Sequence, residues 1–140
     1  MTAPQMQWDR ALVVFSGQSD QIWLRILRKG FRHCFLVLGS PGGWLYLNPM
    51  AHQTQIQVLA VPPHFKLAEW YRNQGLTVVE TIPIQPPRRA APWRPFTCVE
   101  AVKRVLGLTS AKILTPWDLY QHLTINGINS LTPPAQTSYP

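Results

Sequence analysis

Two apolar runs flank the five residues Gly39-Ser40-Pro41-Gly42-Gly43. Glycine and proline at this density make a tight turn. The flanking runs, Phe31 to Leu38 and Trp44 to Asn48, each have the length and composition of a strand. So short a link joins antiparallel neighbours, because a parallel crossover needs a dozen or more residues. The chain is therefore expected to build a sheet from hairpins, with its helices flanking it. That is an α+β architecture with a small antiparallel sheet, not a doubly wound parallel one.

The other elements follow from the same punctuation. Trp8 to Phe15 carries Ala11-Leu12-Val13-Val14-Phe15 and reads as a buried strand. Asp20 to Lys29, closed by Gly30, reads as a short helix. Gln55 to Val61 begins with clean alternation and predicts a fourth strand. Pro62-Pro63 then opens a helix through Phe65, Leu67, Ala68, Trp70 and Tyr71, ending at Gly75. Leu76 to Ile84, rich in Thr, Val and Ile, is a fifth strand. Gln85 to Pro95 is a proline-rich, basic connector. Thr97 to Leu106 is a helix stopped by Gly107. Thr115-Pro116-Trp117-Asp118 opens another, with Thr at the cap and Pro at the first helical position, and it is expected to end near Thr124. Trp117 and Tyr120 are read as core packing. One domain, 1–124, is expected, followed by a tail, 125–140, that is uncharged, bears three prolines and is extended or disordered.

With 46% hydrophobic and 14% charged residues, 140 residues suffice for one real core. No apolar run approaches the ~20 residues of a membrane span. Met1 to Gln7 lacks the basic and apolar regions of a signal peptide, which points to a cytoplasmic protein, or a virion component packaged from a cytoplasm. Two cysteines are too few for a disulfide framework. The net charge is +7. Arg25, Arg28, Lys29 and Arg32 precede His33, and Arg88, Arg89 and Arg94 precede Cys98. These clusters form a solvated basic surface, attract an anionic substrate or partner, or favour a thiolate. No zinc-finger spacing or glycine-rich phosphate loop marks a nucleic-acid protein.

The chemistry-bearing segment is Phe96-Thr97-Cys98-Val99-Glu100. Thr97 with Glu100 is a capping-box pattern, which puts Cys98 at the first helical position. Unpaired backbone N–H groups and the helix dipole favour a thiolate there. His33 opens the strand His33-Cys34-Phe35-Leu36-Val37-Leu38. Side chains alternate along a strand, so Cys34 is a core thiol if His33 faces Cys98. The alternative is that Cys98 is itself a buried, inert thiol. Trp93, in the loop before the helix, is a candidate wall of a substrate groove, together with Arg94 and Phe96. A metal site from His33, Cys34, Cys98 and His122 lacks the close ligand pair that zinc sites show, and no metal or other cofactor is expected. His64, after the two prolines, is expected to be exposed, and His122 to serve the end of the last helix.

A histidine on a strand, a further strand, and a later cysteine at a helix start resemble the circularly permuted papain-like NlpC/P60 superfamily, in its lecithin:retinol acyltransferase-like branch. The resemblance spans residues 8 to 107. Trp93-Arg94-Pro95 and Thr115-Pro116-Trp117-Asp118-Leu119-Tyr120 also look like small phage or prophage proteins. The resemblance implies a cysteine hydrolase or acyltransferase acting on an amide or ester, such as a peptidoglycan peptide or an acyl substrate. Cys98 would be the nucleophile and His33 the base. The family's third polar residue, on the next strand, would be Asn48, with His52 behind it. If Leu38 faces Trp44, Asn48 points away from His33; a one-residue slip puts them opposite one another. The rival reading is a non-catalytic virion or tail-assembly protein that keeps the fold and lays its uncharged tail along a neighbour.

Overall fold

The computed structural model describes residues 7–17, 29–50, 52–83 and 97–127. The expected helix over 20–29, the connector over 85–95 and the tail beyond 127 lie wholly or mostly outside the described residues. Among the described residues five strands form one antiparallel sheet: β1 (Arg10–Ser16), β2 (His33–Ser40), β3 (Gly43–Pro49), β4 (Thr54–Val58) and β5 (Thr77–Thr81). Their spatial order is β4-β3-β2-β1-β5. Among the described residues three helices accompany them: α1 (Leu67–Asn73), α2 (Cys98–Leu106) and α3 (Pro116–Gly127). The fold is α+β, as the hairpin requires.

The sheet is covered on both faces. Ala11, Val13, Phe15, Cys34, Leu36 and Leu38 pack against Val99, Val102 and Leu106 of α2 and Leu119 and Leu123 of α3. Leu12, Val14, Phe35, Val37, Trp44 and Val78 pack against Leu67 and Tyr71 of α1. A strand buried on both faces reads as a continuous apolar run. That is why β1 and β2 are apolar throughout while β4, on one edge, alternates. At one end of the helical face, Phe31 touches Phe15, Trp117 and Tyr120 with ring centroids 4.8–5.4 Å apart, and Tyr120 packs against the core.

The hairpin register is set by a two-residue loop. Ser40 pairs with Gly43 and Gly39 with Trp44, leaving Pro41-Gly42 as the turn. Neither expected register is the observed one. Gly39 belongs to the strand, not the loop, for a steric reason. It lies between Arg10 on β1 and Trp44 on β3. The Arg10 guanidinium carbon crosses it to sit 4.3 Å from the Trp44 ring centroid, and Arg10 Nη2 donates to the Pro63 carbonyl at 2.7 Å. A Cβ on Gly39 would stand 2.6 Å from Arg10 Cγ and 2.8 Å from Trp44. Gly39→Ala is expected to destabilise the fold by about 1–3 kcal/mol, because the arginine must leave the ring or the buried indole must move. Urea denaturation checks this, and an unchanged midpoint would refute it.

Some element ends differ from expectation. β4 stops at Val58, opposite Leu45, and Leu59 N, bonding Trp44 O, continues the ladder one residue further. α1 starts at Leu67, after a turn closed by Phe65 N to Pro62 O. β5 is shorter than its apolar run and ends at Thr81, two residues before Pro83. α3 continues to Gly127, three residues past the expected helix end. Thr124 Oγ1 donates to Tyr120 O at 2.8 Å, and Asn126 bonds His122, one turn back, at 3.0 Å.

Candidate active site

α2 begins where the sequence places it. Thr97 is extended at the cap and its Oγ1 accepts from Glu100 N at 3.2 Å, and Gly107 closes the helix in the left-handed conformation. The Glu100 carboxylate, expected to turn back to the cap, is taken up by Lys103 Nζ at 3.2 Å. Lys103 also donates to Ile113 O at 3.1 Å. The full reciprocal box is found instead on α3. There Asp118 N donates to Thr115 Oγ1, and Asp118 Oδ2 accepts from Thr115 N at 2.9 Å. These bonds fix how α2 and α3 enter against the sheet.

Cys98 is therefore held at the first helical position, half-buried, at the edge of the α2-covered core. Its thiol is hydrogen-bonded to Cys34 and to His33. Strict alternation predicts that only one of these neighbours meets Cys98. Both do, and His33 is the terminal residue of β2. Cys34 is fully buried, as expected of a core thiol, but it also belongs to the site.

The His33 ring has a second partner. Its Nε2–H donates to Asn48 Oδ1 at 2.6 Å. Gly39 pairs with Trp44 and Val37 with Tyr46, so His33 and Asn48 fall on the same face of the hairpin as diagonal neighbours. With Nε2 committed to Asn48, Nδ1 is the ring nitrogen left for Cys98. His52, the alternative orienting residue, is exposed, as is His64. Gln55, on β4 directly opposite Asn48, accepts from Asn48 Nδ2 at 3.4 Å through Oε1. This bond turns the Asn48 oxygen toward the imidazole. Gln55 is a positioning residue that sequence reasoning missed. Its only signal was its place in an alternating strand, which depends on two registers at once.

The electrostatics suit a nucleophile. The Cys98 thiol is lowered from 9.0 to about 4, first by the hydrogen bond from Cys34 and then by the His33 bond and charge, against the opposing effect of burial. Cys34 is pushed well above its ordinary value by its bond to Cys98 and by burial, so it stays a thiol and a donor. Of the seven basic residues flanking His33 and Cys98 in sequence, Lys29 and Arg32 are among the described residues. Trp93, Arg94 and Phe96, the candidate groove residues, lie outside them. Among the described residues, no three of His, Cys, Asp and Glu cluster to hold a metal ion, and no helix is long and apolar enough to cross a membrane.

The chain matches no protein-family model, no curated protein and no solved structure. The functional reading therefore rests on the geometry of Cys98, His33 and Asn48.

Proposed function

We propose that this protein is a small cysteine hydrolase or acyltransferase acting on an amide or ester, with a circularly permuted papain-like arrangement of its site. The observation that carries the reading is the chain of contacts from Cys98 through His33 to Asn48, ending in a 2.6 Å bond. A thiol, a base and a third group orienting the base form the general pattern of an activated nucleophile. The Cys98 thiolate attacks the acyl carbon. The His33 imidazolium gives its Nδ1 proton to the leaving amine or alcohol, then takes one from the incoming water or acyl acceptor. The Asn48 carbonyl keeps Nε2 protonated, which leaves Nδ1 for this exchange. The Cys98 backbone N–H, at the first helical position, would hold the oxyanion together with a second donor.

The basic residues before His33 and Cys98 favour a substrate or partner with negative charge, and a bacterial wall peptide or an acyl lipid both fit that description. A non-catalytic virion role draws its support from the uncharged tail. It has no need of a thiol so far from its ordinary ionisation range.

The test is the pH dependence of Cys98 alkylation by iodoacetamide, followed by reaction with an activated acetyl ester. Alkylation is expected to rise as pH rises through about 4 and to be flat at about pH 6 to 8, where an ordinary thiol still climbs toward its pKa of ~8.5. The ester is expected to leave an acetyl thioester on Cys98. A Cys98 that stays inert until the chain unfolds, and is never acylated, would overturn the proposal.

A further inference from the structure

Cys34 makes and breaks no bond in the proposed acyl transfer, yet it is a buried thiol in hydrogen-bond contact with the nucleophile. A core cysteine normally sits among apolar atoms alone. Here the first residue of α2, Cys98, packs against the same cluster of buried side chains that contains Cys34 on β2. The contact joins residues 64 positions apart and depends on no side chain outside the described fold.

We infer that Cys34 is a resolving thiol, and that a hydroperoxide converts the Cys98–Cys34 pair into an intramolecular disulfide that reversibly silences the site. The inference rests on the reading of Cys98 as a reactive thiolate. In the first step the Cys98 sulfur attacks the peroxide. An S–O bond forms, the O–O bond breaks, and the departing alkoxide or hydroxide takes a proton to become an alcohol or water. Cys98 is now a sulfenic acid. In the second step the Cys34 sulfur attacks the Cys98 sulfur. The S–S bond forms, the S–O bond breaks, and the departing hydroxide takes the Cys34 proton and leaves as water. The two cysteines have lost two electrons and two protons, and the peroxide has gained them. A sulfenic acid lacking a neighbouring thiol proceeds to sulfinic acid, which is not recovered by thiols. A partner already in contact captures it first. A dithiol reverses the bond by exchange and restores the nucleophile.

The experiment treats the full chain with a small excess of hydrogen peroxide at neutral pH, with and without dimedone, and maps the products by non-reducing digestion and mass spectrometry. The expected product is a peptide pair joined through Cys34 and Cys98 that dithiothreitol separates. Dimedone labelling of Cys98 is expected to be more than about tenfold higher in Cys34→Ala than in the natural chain, since that variant leaves the sulfenic acid with no capturing thiol. The joined peptides are read in the natural chain alone, so a variant that fails to fold does not decide the matter. Cys98 passing to sulfinic acid without a disulfide would overturn the inference, as would equal dimedone labelling in a folded Cys34→Ala. Iodoacetamide separates the two proposals. A Cys98 that is rapidly alkylated at neutral pH but forms no disulfide removes only the resolving role of Cys34. A Cys98 inert to both reagents removes the hydrolase reading as well.

Discussion

Replacing His33 with alanine is expected to slow acyl transfer from an activated ester to Cys98 and onward to water by about 10²–10⁴-fold, the usual contribution of a positioned acid–base group. The sheet should survive. His33 is the first residue of β2, its ring is half-buried, and its backbone pairing with Ser16 does not depend on the side chain. Two separate losses add up. The leaving group no longer receives a proton, and Cys98 loses one of the interactions that favour its thiolate. Cys34 still bonds the thiol, so the alkylation midpoint should move only part of the way from about 4 toward 9.0. Single-turnover kinetics measure the first effect and the alkylation profile the second. A folded His33→Ala variant that turns over at the natural rate would remove His33 from the mechanism.

The second large effect concerns the fold. Lys103→Ala should destabilise the protein by about 3–5 kcal/mol, the usual result of removing one partner of a buried pair. Lys103 is 2% exposed and is held by Glu100 and by the Ile113 carbonyl. Its loss leaves a buried carboxylate whose remaining cation, Arg104, stands 4.0 Å away on the surface. The cost arises from the stranded charge more than from the lost bond. A double variant, Lys103→Met with Glu100→Leu, should recover most of the stability, because apolar side chains of similar volume often replace a buried ion pair without loss. Chemical denaturation of the single and double variants checks both statements. A double variant no more stable than Lys103→Ala would show that the stranded carboxylate is not the cause.

The hairpin signal, the apolar runs and the helix caps are local, and they made the α+β class, the order of the described elements and the start of α2 legible in the sequence. Cys98 and His33 were legible for the same reason, as residues at the ends of strongly marked elements. Asn48 was legible only as one of two candidates. Five turn-forming residues between the strands permit several loop lengths, and each one-residue change exchanges the faces. What selected the register was the space that Arg10 needs across Gly39 to reach Trp44, a contact between three strands. The shared role of His33 and Cys34 was hidden by an alternation rule that holds in mid-strand and loosens at a terminus. Gln55 required two registers together. Glu100 followed its capping pattern on the backbone side only, because Lys103, one turn on, drew its carboxylate into the interior.

The strand order also separates the site by folding history. His33, Asn48 and Gln55 come from three consecutive strands, β2, β3 and β4, joined by short links. Such local pairings close at small entropic cost and form early. Cys98 arrives from farther along the chain, after β5 has crossed back to pair with β1. The base and its orienting amides can thus assemble before the nucleophile reaches them. On a ribosome they would also be synthesised first. A partly folded chain would then carry a Cys98 of ordinary acidity, and its reactivity would appear only with the docking of α2. Activation of the thiol doubles as a report that the last long-range contact has closed.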